Sequence, residues 1–126
     1  MTGRYLADAC ALIVFYTAAP MSRTVEQIMG DGDVAVSAIT VWEITRKAAL
    51  GKLPSEWGEG GLVGLLQRQG FRPLPLSWSD AELANRLPPI HKDPMDRMLI
   101  AQAVRHGLDI ITNDRVFEDY GVKTVW

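Results

Sequence analysis

Five short apolar runs, in "RYLAD", "VAVS", "FRPL", "IIT" and "VKTV", are separated by longer stretches with the period of amphipathic helices. That alternation predicts an α/β domain with a mostly parallel central sheet, because each strand reaches the next through a helical crossover. The strands are expected over Arg4–Asp8, Val34–Ser37, Phe71–Leu74, Ile110–Thr112 and Val122–Val125. Helices are expected over Ala11–Ala18, Ser22–Met29, Ala38–Leu50, Glu59–Gln69, Asp80–Arg86 and from Asp93 to Gly107, with a short turn near Val116. A Ser79-x-x-Glu82 capping box is expected to open the Asp80 helix. No repeat or linker interrupts the pattern, so residues 1–126 are expected to form one domain.

Composition narrows the function classes. With 48% hydrophobic and 22% charged residues, the chain has the balance of a globular protein rather than a disordered one. The longest apolar run, Ala9 to Phe15, is too short for a membrane span, and Asp8 interrupts any signal-like start, so a cytoplasmic protein with no membrane partner is expected. A single cysteine, Cys10, gives neither an internal disulfide nor a zinc cluster. The net charge of −2 argues against binding nucleic acid by bulk charge, although it leaves room for a local basic rim.

The helix within "IHKDPMDRMLIAQAVRHG" raises the central chemical question. Asp93 is suited to the N-cap, Pro94 to the first turn and Gly107 to a left-handed stop. At about 100° per residue, Arg97, Gln102, Arg105 and His106 share one half of the helix. The other half carries Leu99, Ile100, Ala103 and Val104, and Asp96 stands among them. An ionised carboxylate on a core-facing stripe must be paired, hydrogen-bonded or bound to a metal.

Three further acids sit near the edge where open parallel sheets bind ligands, outside the carboxyl ends of their strands. Asp8 closes the first strand, Asp114 follows "DIIT", and Glu43 lies early in the helix after the second strand. Each has a plain alternative: Asp8 as a helix cap, Asp114 as a turn residue, Glu43 as the i,i+4 partner of Lys47, and Asp96 as an acid favourable to the helix dipole. Together they form a set of hard oxygen ligands of the kind Mg²⁺ or Mn²⁺ prefers, and such a set supports phosphodiester hydrolysis by a metal-activated water.

Other chemistries lack their residues. His91 and His106 have no cysteine partner for zinc, and neither a P-loop nor a dinucleotide fingerprint is present. Cys10 has apolar neighbours and no flanking base, which predicts a core residue rather than a nucleophile. The glycines of "GEGG" precede a helix but follow no strand, so they do not form a phosphate loop.

The ordered set of "LAD", "VSAITVWEITRKAALGKL", "HKDPMDRMLIAQA" and "ITNDRVFEDYGV" resembles a PIN domain, and more narrowly the VapC-type toxin ribonucleases of toxin–antitoxin pairs. The resemblance covers essentially the whole chain, and "HKDPMDRMLIAQA" is its most specific part. It implies a PIN-like α/β fold with helices on both faces, an acidic pocket holding Mg²⁺ or Mn²⁺, RNA as substrate and neutralisation by a VapB-type antitoxin. The family acids correspond to Asp8, Glu43, Asp96 and Asp114 as catalytic metal ligands. Ser37, Asp93, Thr112 and Asn113 correspond to the polar residues that support them. Ala9 and Cys10 stand where the family usually has a small hydroxyl or amide residue, and Met95 replaces a common aromatic.

On this reading the chain is an endoribonuclease toxin, expected as a homodimer, with Arg46, Lys52, Lys92, Arg97 and Arg115 available to RNA phosphates. Val14, Phe15, Tyr16, Trp42 and Trp57 are candidates for a groove that takes an amphipathic antitoxin segment. A signalling receiver domain shares the length and strand-end acids. It would need an acceptor aspartate after a middle strand and a lysine after a later one, where this chain has "LPLSW" and Asn-Asp. A non-catalytic binding module with the same fold is the remaining alternative.

Overall fold

The computed structural model describes residues 4–126. Five strands, β1 (Arg4–Ala7), β2 (Asp33–Ser37), β3 (Arg72–Leu74), β4 (Asp109–Ile111) and β5 (Thr124–Val125), form one all-parallel sheet in the order β3-β2-β1-β4-β5. The crossovers carry α1 (Ala9–Tyr16), α2 (Arg23–Asp31), α3 (Ala38–Ala49), α4 (Gly61–Gln69), α5 (Trp78–Arg86) and α6 (Pro94–His106). Short 3₁₀ turns occupy Ser55–Gly58 and Arg115–Tyr120.

Alternation along the strands divides the core between the two faces of the sheet. Ala7, Val34, Val36 and Ile111 point to one side, where they meet Leu12 of α1, Met29 of α2, Ile44 of α3 and Leu62 of α4. Leu6, Ala35 and Ile110 point to the other, against Leu99, Ile100 and Ala103 of α6 and Phe117 of the last 3₁₀ turn. Apolar side chains on both faces are what a covered parallel sheet requires.

Capping explains most boundaries and two departures from the sequence reading. Asp8 accepts a hydrogen bond from Ala11 N at 2.9 Å, so α1 begins at Ala9, two residues before the expected start. The capping box belongs to Ser77 and Asp80 rather than Ser79 and Glu82, so α5 begins at Trp78. Asp80 is fully buried, and its carboxylate also meets Arg105 and Gln102 of α6. The tertiary partners select this box over the one nearby in sequence.

Those partners also correct the polar half assigned to α6. Gln102 is buried, donating to Pro75 O and to Asp80, whereas Val104 is 51% exposed. The apolar stripe therefore turns away from Val104 and leaves Leu99, Ile100 and Ala103 against the sheet.

The strand order positions the functional edge. After β1 the chain moves toward β2, while β4 pairs with the opposite side of β1, so the connections leaving β1 and β4 diverge. Divergent connections at neighbouring carboxyl ends open a crevice. The Asp8 N–H donates to Ile111 O at 3.2 Å, which ties the two strand ends together at its floor.

Candidate functional site

The crevice is a cavity of about 410 Å³, and Asp8, Glu43, Asp93, Asp96, Asn113 and Asp114 all line it. Asp8 arrives from the end of β1, Glu43 from the second turn of α3, Asp96 from the first turn of α6 and Asp114 from the turn after β4. Four distant segments thus bring the four acids identified in the sequence to one place.

Two of them, Asp8 and Asp114, also hold backbone, as does Asp93 beside them. Asp8 caps α1, and Asp114 caps the last 3₁₀ turn by accepting from Val116 N at 3.0 Å. Asp93 caps α6, accepting from Met95 N at 2.8 Å and Asp96 N at 3.4 Å. The plain alternatives for Asp8 and Asp114 therefore coexist with their place in the cavity. The same is true of Glu43, which lies 3.4 Å from Lys47 Nζ. Lys47 lines the cavity as well and puts a positive charge among the acids.

The electrostatics follow from that crowding. Asp8 is 8% exposed, and its burial pushes the carboxyl up to about 6. Hydrogen bonds from Thr112 and Ala11 pull it back, while the charges of Asp96 and Glu43 add to the rise. Burial also raises the Asp96 carboxyl, the His91 bond opposes that rise, and the charges of Asp93 and Glu43 reinforce it. Helix starts at Asp8 and Asp93 direct partial positive charge into the cavity but do not cancel this repulsion. A divalent cation would.

The donor set fits such an ion. Carboxylate oxygens predominate, no thiolate competes, and the acids come from elements fixed by the sheet. His91, Asp93 and Asp96 each offer a ligand atom within 4.8 Å of the others, with His91 Nε2 2.7 Å from Asp96 Oδ2. His91 has no such role in the sequence reading, which weighs it only against zinc. The signal was its place five residues before Asp96, across the N-cap that folds the chain back.

The supporting residues divide. Asn113 lines the cavity, and Thr112 Oγ1 accepts from Asp114 N at 3.0 Å beside Asp8. Ser37 is buried, and its hydroxyl accepts from Ile39 N at the start of α3, so its observed bond shapes the helix start rather than an acid. Cys10 corrects the sequence expectation: it is half-buried on the cavity wall instead of in the core. Burial and the Asp8 charge push its thiol up, away from thiolate character, despite the opposing effect of Lys47.

The basic residues divide too. Arg97 is a clamp, not a free phosphate contact. Its guanidinium donates to the carbonyls of Ala84, Leu87, Pro88 and His91 and to the Tyr120 hydroxyl, at 2.8–3.2 Å. Arg46 lies over the Trp42 ring, 5.5 Å from its centroid, on the outer face of α3. Lys52 and Lys92 are exposed outside the cavity lining, and Arg115 lines an adjoining cavity.

The apolar residues proposed for a groove do not make one surface. Phe15 and Tyr16 pack edge-to-face on each other and on Phe71, Tyr16 also meets Trp57, and Trp42 points outward from α3. A cavity of about 390 Å³ near β3, lined by Val36, Val41, Leu66 and Phe71, is almost wholly apolar.

The PIN domain model matches residues 5–123. No curated protein matches this sequence. Among solved structures, VapBC2 from Rickettsia felis bound to a promoter DNA fragment is similar, with a TM-score of 0.76, 16% identity and coverage of 97% of this chain and 98% of that one. FitAcB from Neisseria gonorrhoeae gives 0.70 at 21% identity, covering 97% and 96% respectively. A DNA-bound VapBC from Salmonella typhimurium gives 0.72 at 16%, covering 98% of both.

Proposed function

The chain belongs to the PIN domain family, and from that premise we propose that it is a Mg²⁺- or Mn²⁺-dependent endoribonuclease, the toxin of a VapBC-type pair. The observation that carries this reading is the convergence of Asp8, Glu43, Asp96 and Asp114 on one cavity. Asp8 and Asp96 hold the principal ion, while Glu43 and Asp114 complete the pocket. When bound, the cation supplies Lewis-acid charge at the attacked phosphate and makes water a better nucleophile. Asp93 and Thr112 fix the backbone that presents the acids, and His91 orients Asp96. Lys47 restrains Glu43 and lowers the local negative charge that an incoming phosphate meets. Arg46, Lys52, Lys92 and Arg115 are exposed and are the proposed contacts to RNA phosphates, Arg46 from its place over the Trp42 ring.

The toxin reading is supported by structural likeness to toxin–antitoxin complexes, one of which is described as such from Klebsiella pneumoniae. A VapB-type antitoxin is accordingly the proposed partner, with a homodimer as the working assembly and the cytoplasm as its place. Among the described residues no helix is long and apolar enough to cross a membrane.

The test is cleavage of total cellular RNA with Mg²⁺ or Mn²⁺, with mapped product ends and Asp96→Asn in parallel. Metal-dependent endonucleolytic cleavage, lost in the variant and in EDTA, is the expected result. RNA binding without cleavage would identify a non-catalytic PIN module instead.

A further inference from the structure

A second cavity, of about 370 Å³, adjoins the acidic one, and Asn113 and Asp114 line both. Its remaining lining includes Arg115, Glu118, Thr124 and Trp126. Trp126 is 42% exposed. Glu118 accepts from the Thr124 hydroxyl at 2.7 Å, which fixes one carboxylate oxygen and leaves the other free. This is a different composition from the acid pocket: an aromatic surface, a guanidinium, an amide and an oriented acceptor edge beside the place where a phosphate would be cleaved.

We propose that this cavity is a nucleobase subsite that takes an unpaired base flanking the scissile phosphate, stacked on Trp126, and that Glu118 selects bases carrying an exocyclic amine. The proposal rests on the ribonuclease reading of the acidic cavity. Sequence-specific RNA recognition targets unstacked bases, which bring a π-face to an aromatic side chain and a hydrogen-bonding edge to polar groups. An ionised carboxylate only accepts hydrogen bonds. The Thr124 proton is already given to Glu118, so its oxygen is left as a further acceptor. An edge of acceptors favours the amino groups of adenine, cytosine or guanine. Uracil presents one N–H between two carbonyl oxygens, which the carboxylate repels. Arg115 supplies the charge for a neighbouring phosphate, and Asn113 can serve either cavity because it borders both.

The experiment measures binding of fluorescein-labelled single-stranded RNA 8-mers of A, C or U to the cleavage-impaired Asp96→Asn protein in EDTA. Cleavage-site mapping then follows on proteins with Asp96 intact. Trp126→Ala should weaken binding of the A and C oligomers by about 5- to 150-fold, the range for loss of one stacked base, while Trp126→Phe retains most of it. Glu118→Gln should narrow the preference for A and C over U without a matching loss of total affinity. On proteins with Asp96 intact, both substitutions should redistribute cleavage sites while metal-dependent cleavage persists. Melting temperatures of Trp126→Ala and Trp126→Phe report whether the fold is kept. If cleavage depends on Asp96 but Trp126→Ala leaves oligomer affinity unchanged and Glu118→Gln leaves base preference and site distribution unchanged, the subsite is wrong and the nuclease reading stands. If the protein neither binds nor cleaves RNA, both fall together.

Discussion

His91 Nε2 lies 2.7 Å from Asp96 Oδ2, so the ring of one residue fixes the carboxylate of the other before any ligand arrives. Asp93 sits between them and caps the helix that carries Asp96. The contact aims one oxygen at the ring and leaves the other directed by the helix.

Loss of that orientation should weaken the ion more than the fold. Outer partners of metal ligands typically change affinity by about 10- to 100-fold. We expect His91→Ala to lower Mn²⁺ affinity by a factor in that range, read by titration calorimetry, with saturating Mn²⁺ restoring most of the cleavage rate. Unaltered affinity would remove His91 from the site.

The metal-free cavity holds mutually repelling carboxylates, so removing one charge should not cost stability. Asp96→Asn in EDTA should melt at or above the parent temperature. Mn²⁺ should raise the melting temperature of the parent and do so much less in the variant, because a ligand bound only by the folded state stabilises it. A parent that ignores Mn²⁺ and a variant weakened in EDTA would make Asp96 an ordinary helix-start acid.

The pH dependence has a definite sign. The folded Asp8 carboxyl titrates at about 6 against an ordinary 3.8, so between those values the folded protein holds a proton that the unfolded chain has released. Asp8 therefore contributes stability that is full below the unfolded value and lost as pH rises to about 6. The loss is on the order of 1–3 kcal/mol in metal-free protein. Denaturant melts of parent and Asp8→Asn at pH 4.5 and 7.5 isolate it: the gap between them should shift in favour of the variant at the higher pH.

Arg97 tests the clamp against phosphate binding. Its guanidinium ties together the end of α5 and the loop before α6. Arg97→Ala should cost about 2–4 kcal/mol, since several carbonyls lose a charged donor, and Arg97→Lys should recover little because an ammonium lacks the fork. A phosphate contact would instead leave stability intact and reduce the salt dependence of RNA binding.

Cys10 borders the acids without the chemistry of a nucleophile. Cys10→Ser should keep the cleavage rate within about tenfold, or 1.4 kcal/mol of barrier. A loss as large as that of Asp96→Asn would make the thiol a participant.

Strand-end position and helix phase were enough to pick out Asp8, Glu43, Asp96 and Asp114, because both are local properties of an α/β chain. The expected parallel sheet agrees with the structure for the same reason, and the helices on both faces that the PIN resemblance implied are present too. Partners distant in sequence were not legible. Nothing near Arg97 says that it bridges Ala84, Leu87 and Tyr120, and nothing near Gln102 says that Asp80 draws it inside. Lys47 was visible only as the helical neighbour of Glu43, since its approach to the other acids depends on how α3 meets the sheet edge. The boundary errors have a similar origin: Ser77 and Ser79 offer comparable local caps, and only the buried Asp80 distinguishes them.

Because Asp8 and Asp114 each start a helical turn as well as facing the cavity, alanine at either position removes a cap together with a ligand. Asparagine caps about as well and takes away only the charge. Alanine scanning would therefore confuse unfolding with lost chemistry, whereas exchanging one oxygen for an amide separates them. Natural inactivation has the same route open: a descendant can fall silent as an enzyme through Asp→Asn at these turns while its scaffold, and every surface built on it, persists unchanged.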